Sequence, residues 1–280
     1  MDKITKSNDN GVSEAIGFML IFGMVIVGIG LVTLYGYPLL IQQQVGADEK
    51  IMEKNMIVLQ NDVKSLAYKT VPFKETSLKI GGGSLTVYNS SYSQPSASLE
   101  INDGVVASYL PPYTVNTKFY PGELRYESIS AQTDISLQNG AVALRRHVEP
   151  GSVMLAEPRW FFDTNTNKMV INLIEFTSDT IMSKEGIGTV QMSLVGEPYF
   201  NETVVPSGNA IEIVYNYDQT HDYSVAWDNY IWNSWNIPQP YKENRVVDSV
   251  NHKITYTLRN TDPSAMTLVI KKFFVKIRSI

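Results

Sequence analysis

Apolar and polar positions divide the chain into three stretches with three different periods. From Ala15 to Ile41 there are 27 consecutive residues without a charged side chain, apolar on every side of a helix. About 20 such residues suffice to cross the ~30 Å hydrocarbon core of a bilayer. The apolar positions then become periodic: Val45, Met52, Met56, Leu59, Val63 and Leu66 are spaced 7, 4, 3, 4 and 3 apart, the a/d seam of a coiled coil. Asp48, Lys50, Glu53, Lys54, Asp62 and Lys64 take other positions. Val71-Pro72 closes the stretch, because the residue before a proline is pushed out of helical geometry. One helix is predicted over 12–70, with a membrane span at 15–41 and an amphipathic extension at 45–70. The seam suits either the chain's own head or neighbouring copies.

Beyond Pro72 the period falls to two. Asn139-Gly140 in "SLQNGAVAL" is a two-residue hairpin signal, Asp103-Gly104 offers a second, and Asp163 to Lys168 reads as a longer turn in "RWFFDTNTNKMVINLIEF". "TVQMSLVG", "AIEIVYNY", "HKITYTLRN" and "MTLVIKKFFVKI" supply further strands, and no helical period is apparent after residue 70. The expected fold class is therefore α+β: a long hydrophobic N-terminal helix followed by an antiparallel all-β, sandwich-like head over 71–280. "IGGGSL" (80–85) reads as a flexible junction, since it lacks the lysine of a phosphate loop.

The flanks of the span orient it. Lys3 and Lys6 precede it, while Asp48, Glu49, Lys50 and Glu53 follow; lysine and arginine favour the cytoplasmic side, so the N-terminus is expected inside and the head outside. The run is too long for a cleaved secretory segment, whose apolar region covers about 7–15 residues, although Val45-Gly46-Ala47 looks like a small-residue cleavage site. Gly17, Gly23, Gly28, Gly30 and Gly36 punctuate it. Such residues let helices approach closely in lipid, although glycine is also commoner in membrane helices generally. Pro38 removes a backbone donor and should kink or loosen the helix.

Ahead of the span, Asn8-Asp9-Asn10-Gly11 is a poor helix former, and a protease needs such an extended backbone. Polar leader, Gly11, then "VSEAIGFMLIFGMVIVGIGLV" resembles the N-terminus of archaeal type IV pilin-like (flagellin-like) surface proteins. The likeness is strongest over 9–36, with a weaker echo in Gly122 to Leu144. It implies a leader of residues 1–11, removed by a membrane prepilin peptidase between Gly11 and Val12, and a helix that becomes a filament core. It also implies partners: identical or related pilin subunits, the peptidase, a membrane assembly platform, and membrane lipid before assembly. The residues before Gly11 are not the charged ones such peptidases often favour, and Glu14 would be third in the mature chain, where bacterial pilins carry their carboxylate fifth. In a bundle shielded from water, Glu14 could pair with a neighbour's Val12 amine; alternatively it sits at the membrane surface in the first helical turn. Glu14, Gly17, Gly23, Gly28 and Gly30 are thus the expected assembly residues. A membrane-anchored monomeric binding protein and a minor or tip pilin are the rival readings.

Composition narrows the chemistry. A net charge of −5 over 280 residues argues against a nucleic-acid partner. The absence of cysteine removes disulfides, thiolate metal sites and thiol nucleophiles. His147, His221 and His252 lie far apart in sequence, and Asp218, His221, Asp222 and Asp228 lack ligand periodicity. "DTNTNK" begins like a calcium loop but has Lys168 where the turn glycine belongs and Ile174 at the twelfth position. No metal, cofactor or catalytic set is predicted. Asn89 and Asn201 head N-glycosylation sequons. Trp227, Trp232 and Trp235 could form a contact patch for sugars or a subunit, or could cover an edge of the β core.

Overall fold

The computed structural model describes residues 9–69, 71–90, 97–102 and 118–280, with side chains from Glu14 onward. The chain falls into two units, Met1–Ala47 and Asp48–Ile280. Helix α1 (Asp9–Leu31) passes through a π-helical turn (Val32–Gly36) into α2 (Tyr37–Tyr68). That turn is the expected effect of Pro38. Proline cannot donate to the carbonyl four residues back, and its ring crowds that carbonyl. The backbone widens instead, and the Tyr37 N–H donates to Val32 O, five residues back. The Thr33 hydroxyl adds to the distortion by donating to Ile29 O at 2.9 Å.

Fourteen strands follow among the described residues: β1 (Phe73–Tyr88), β2 (Ser98–Asn102), β3 (Glu123–Ser128), β4 (Thr133–Gln138), β5 (Ala141–Arg146), β6 (Ser152–Ala156), β7 (Phe161–Asp163), β8 (Lys168–Thr177), β9 (Met182–Leu194), β10 (Tyr199–Val205), β11 (Ala210–Asn216), β12 (Lys242–Asp248), β13 (Lys253–Arg259) and β14 (Met266–Ser279). A large sheet runs β6-β5-β4-β3-β1-β9-β14-β8-β7, with β10 also beside β14; a small one runs β12-β13-β11-β2. Pairing is antiparallel except between β8 and β14, where Lys168 to Thr177 run alongside Thr267 to Lys276 in the same direction. After β8 the chain adds β9 and β10 to the large sheet, builds most of the small sheet with β11 to β13, and returns as β14 to lie beside β8 in the same direction. Local alternation carries no trace of that return.

The large sheet buries both faces. One packs against the small sheet through residues such as Met169, Ile171, Leu268 and Ile270, meeting Ile211, Ile213, Tyr256 and Leu258. The other packs against α2 through Leu78, Ile80, Leu124, Tyr126, Ile135 and Leu137. The period of two sorts them: on β5, Ala141 and Ala143 join the first core, Val142 and Leu144 the second. Met52, Met56, Leu59, Val63 and Leu66 are completely buried in this second core. The seam therefore closes on the chain's own head, and each buried side chain contributes about 1.5–3 kcal/mol.

Two polar contacts fix the helix on the sheet. Gln60, itself buried, donates to Gly140 O at 2.7 Å and Glu157 O at 2.9 Å. The Asn139-Gly140 hairpin it grips has the positive φ values, 49° and 71°, of a type I′ turn. Asp48 is buried and pairs with Lys79 at 3.1 Å. The glycines of "IGGGSL" make room for it. They form no flexible junction but a bulge inside β1, where the register slips between Ile80 and Leu85. A Cβ on Gly81 would lie 2.4 Å from Asp48 Oδ1, and one on Gly83 would lie 2.2 Å from Glu127 O. Tyr126 and Ser128 hydroxyls donate to Gly81 O and Gly82 O at 2.5 and 2.6 Å. Close packing requires glycine at 81 and 83, and the positive φ of 68° favours it at 82.

Candidate functional site

The uncharged stretch is a candidate by virtue of what it lacks. Phe18, Met19, Leu20, Met24 and Leu34 are each at least 66% exposed. A water-soluble domain does not leave so large an apolar surface uncovered. This is the one segment among the described residues long and apolar enough to cross a membrane. A Cβ added to Gly17, Gly23, Gly28 or Gly30 would meet nothing within 4 Å, so nothing among the described residues requires glycine there. At roughly 100° per residue, Gly17 and Gly28 share one side of α1 and Gly23 and Gly30 another, roughly 140° away. The glycines therefore form two stripes, not a single face. Glu14 is exposed. The Gly11–Val12 bond lies within the first turns of α1, which begins at Asp9, so the extended backbone expected here is helical instead. The first backbone N–H groups of a helix have no partner within it, and opening this bond requires fraying from that end. Lys3 and Lys6 fall outside the described residues, as does the Asp103-Gly104 turn.

The tryptophan stretch is not a surface patch. It forms a short helix, α3 (Ser224–Asp228), then a π turn over Asn229–Ser234, and the five- and six-residue pieces are too brief to leave a helical period. Trp227 and Trp235 are 1% and 2% exposed in the core between the sheets. Trp160 packs against both, at 5.8 and 5.2 Å between centroids. Trp232 is partly buried, stacked on Tyr256 at 6.3 Å with the Lys242 ammonium 5.9 Å from its ring. These rings cover the edge of the β core.

The two sequons differ in setting. Asn89 is half-buried, and its amide nitrogen donates to Ser178 O. Asn201 is half-buried on β10, opposite Ile270 of β14. The "DTNTNK" segment is a turn in which Asp163 accepts from the Asn165 N–H at 3.0 Å and the Thr166 hydroxyl at 2.7 Å. Asp218 and Asp222 likewise accept from the Thr220 and Ser224 N–H groups, at 3.0 and 2.7 Å. Among the described residues no three His, Asp or Glu side chains converge as metal ligands.

Sequence reading missed a charged cluster at one end of the sheets. His147 and His221, 74 positions apart, meet at a cleft of about 270 Å³ with Glu127, Asp134 and Arg145. Asp134 contacts His147 at 2.8 Å and Arg145 at 3.2 Å, while His221 joins Glu127 at 3.3 Å to Asp218 at 3.2 Å. Behind them Arg125 pairs with the buried Glu123 and with Glu127, the latter at 3.1 Å. Burial opposes the Arg125 charge, but Glu123 outweighs it and holds the guanidinium above its ordinary pKa. Ser128, on the rim, already donates to Gly82 O. The arrangement ties β3 and β4 to the loop after β11. Its signal was present in β3, where Glu123, Arg125 and Glu127 alternate with Leu124 and Tyr126, but alternation alone does not separate a solvated face from a buried ionic one.

The chain belongs to a family of unknown function, DUF7289, whose model matches residues 10–257. The match runs through the apolar helix and most of the head together. No curated protein matches the chain, and no solved structure does.

Proposed function

We propose that the chain is a structural subunit of an archaeal type IV pilus-like surface filament, inserted as a membrane precursor, cut after Gly11 and polymerised through its N-terminal helix. The observation that carries this reading is the contrast along that helix. Its Asp48–Tyr68 part is core of the head, whereas Ala15 to Ile41 is apolar on all sides and, among the described residues, contributes no side chain to either core. A surface of that kind is satisfied by lipid before assembly and by copies of itself afterwards, with close approach at the glycine stripes. Trimming would remove Lys3 and Lys6 and leave a Val12 amine near Glu14. In a bundle of low dielectric an unpaired Glu14 is costly, and a neighbour's amine relieves it. The head faces outward and serves adhesion, without catalysis.

Mass spectrometry of the mature N-terminus, on filaments sheared from cells and on membranes, tests the reading. A chain beginning at Val12 in the sheared fraction is expected. A chain beginning at Met1 and confined to membranes would mark an anchored monomer and overturn it.

A further inference from the structure

A second feature lies far from the charged cluster. The C-terminal end of α2 and strands β7, β8, β10 and β14 enclose a groove of about 490 Å³, within the usual range for small-ligand sites. Tyr68, Phe161, Phe200 and Phe273 supply aromatic rings, and Arg159 and Lys271 bring two cations to it. The Arg159 guanidinium lies 4.6 Å from the Tyr68 ring centre, the Lys271 ammonium 5.7 Å from that of Phe200, and Tyr68 meets Phe273 edge-on at 5.2 Å. The buried Asn172 also lines the groove, and its amide nitrogen donates to Arg159 O, fixing the backbone from which the guanidinium extends.

The charge is unbalanced. Neither Arg159 nor Lys271 pairs with a carboxylate among the described residues; both are held over rings instead. Burial and the Arg159 charge also pull the Lys64 ammonium below its ordinary range, against Glu157; Lys64 is not among the residues lining the groove. Phe161 and Phe200 remain 45% and 55% exposed. Rings left open to solvent beside cations without counter-charges call for a ligand that offers an apolar face and an anion.

We propose that this groove binds an acidic sugar, a pyranose ring bearing a carboxylate. One C–H face of the ring lies on an aromatic wall, the carboxylate takes the Arg159 fork and the Lys271 ammonium, and Asn172 is the polar group within reach of the hydroxyls. A peptide would need backbone donors and acceptors opposite its own, whereas side-chain rings dominate this lining. The inference does not depend on polymerisation, since binding is read on dispersed full-length chain.

Titration calorimetry on the full chain in detergent, with a glucuronate oligosaccharide, its neutral glucose counterpart and an acidic phenylalanine-containing peptide, tests it. The acidic sugar is expected to bind, with the neutral one at least about tenfold weaker. Arg159→Ala and Lys271→Met should each weaken the acidic sugar about tenfold without lowering the melting temperature. Phe200→Ala should weaken both sugars. No binding of the acidic sugar, equal affinity for the neutral one, unchanged affinity in both cation variants, or tighter binding of the peptide would each overturn the proposal.

Discussion

The two halves of the N-terminal helix make opposite use of apolar side chains. In Asp48–Tyr68 they form a single stripe, and every member from Met52 to Leu66 is fully buried on the large sheet. In Ala15 to Ile41 they surround the helix, and most remain more than half exposed. A stripe specifies one partner on one side; a full coat specifies an environment. The lesson concerns where stability resides: the second half is built into the core of the head, and no described residue of the first half is.

Substitution should separate the halves cleanly. Leu59→Asp places an unpaired charge in the second core and is expected to abolish cooperative melting of the head. Leu20→Ser, in the first half, should move head stability by no more than about 0.5 kcal/mol. Circular dichroism melts on both variants measure this, and a head that melts normally with Leu59→Asp would refute the assignment.

Alkaline pH offers the next largest effect. Burial holds the phenols of Tyr68, Tyr215, Tyr223, Tyr230 and Tyr256 above their ordinary value of 10.0. Their folded pKa values exceed the unfolded ones, so their contribution is complete below pH 10 and is lost as pH rises toward the folded values. The head should unfold above about pH 10, with a second rise in tyrosinate absorbance, beyond that of exposed residues such as Tyr35, Tyr37 and Tyr120, appearing together with loss of the β signal. Complete tyrosine ionisation while the fold persists would contradict the burial of these rings.

Smaller effects sharpen the helix–sheet contact. Gly81→Ala forces a methyl group against Asp48 and should cost about 1–3 kcal/mol. Gln60→Leu strands Gly140 O and Glu157 O and should cost about 1–3 kcal/mol. Denaturant unfolding measures both. Smallest of all, Gly28→Leu is expected to leave head stability within about 0.5 kcal/mol while reducing the yield of sheared filaments. Undiminished filament yield would remove the glycine stripes from the assembly reading.

The contrast was legible because it rests on local periodicity. The seam, the uncharged run, the Asn139-Gly140 turn and the β8, β9, β11, β13 and β14 strands all announce themselves within a dozen residues. What stayed hidden depends on distant partners. The spacing of Met52 to Leu66 fits a sheet as well as a second helix; the 80-residue reach of Gln60 to Gly140 decides it. "IGGGSL" is glycine-rich because of Asp48 and Glu127, neither of which is near it in sequence. The parallel β8–β14 pair, the burial of Trp227 and Trp235, and the meeting of His147 with His221 are likewise products of topology. Of the groove around Arg159, the aromatic residues are visible in the sequence, but five separate segments must converge before they form walls.

The turn ahead of Pro38 has a mechanical corollary. A π turn carries one residue more than an α turn, so it offsets the side-chain directions of Asp9–Leu31 from those after Gly36 by roughly 100°. The apolar helix thus contains a built-in phase slip between the side chains before Val32 and those after Gly36. Deleting one residue between Val32 and Gly36 would rewind the slip and swing both glycine stripes to new bearings, with composition almost unchanged.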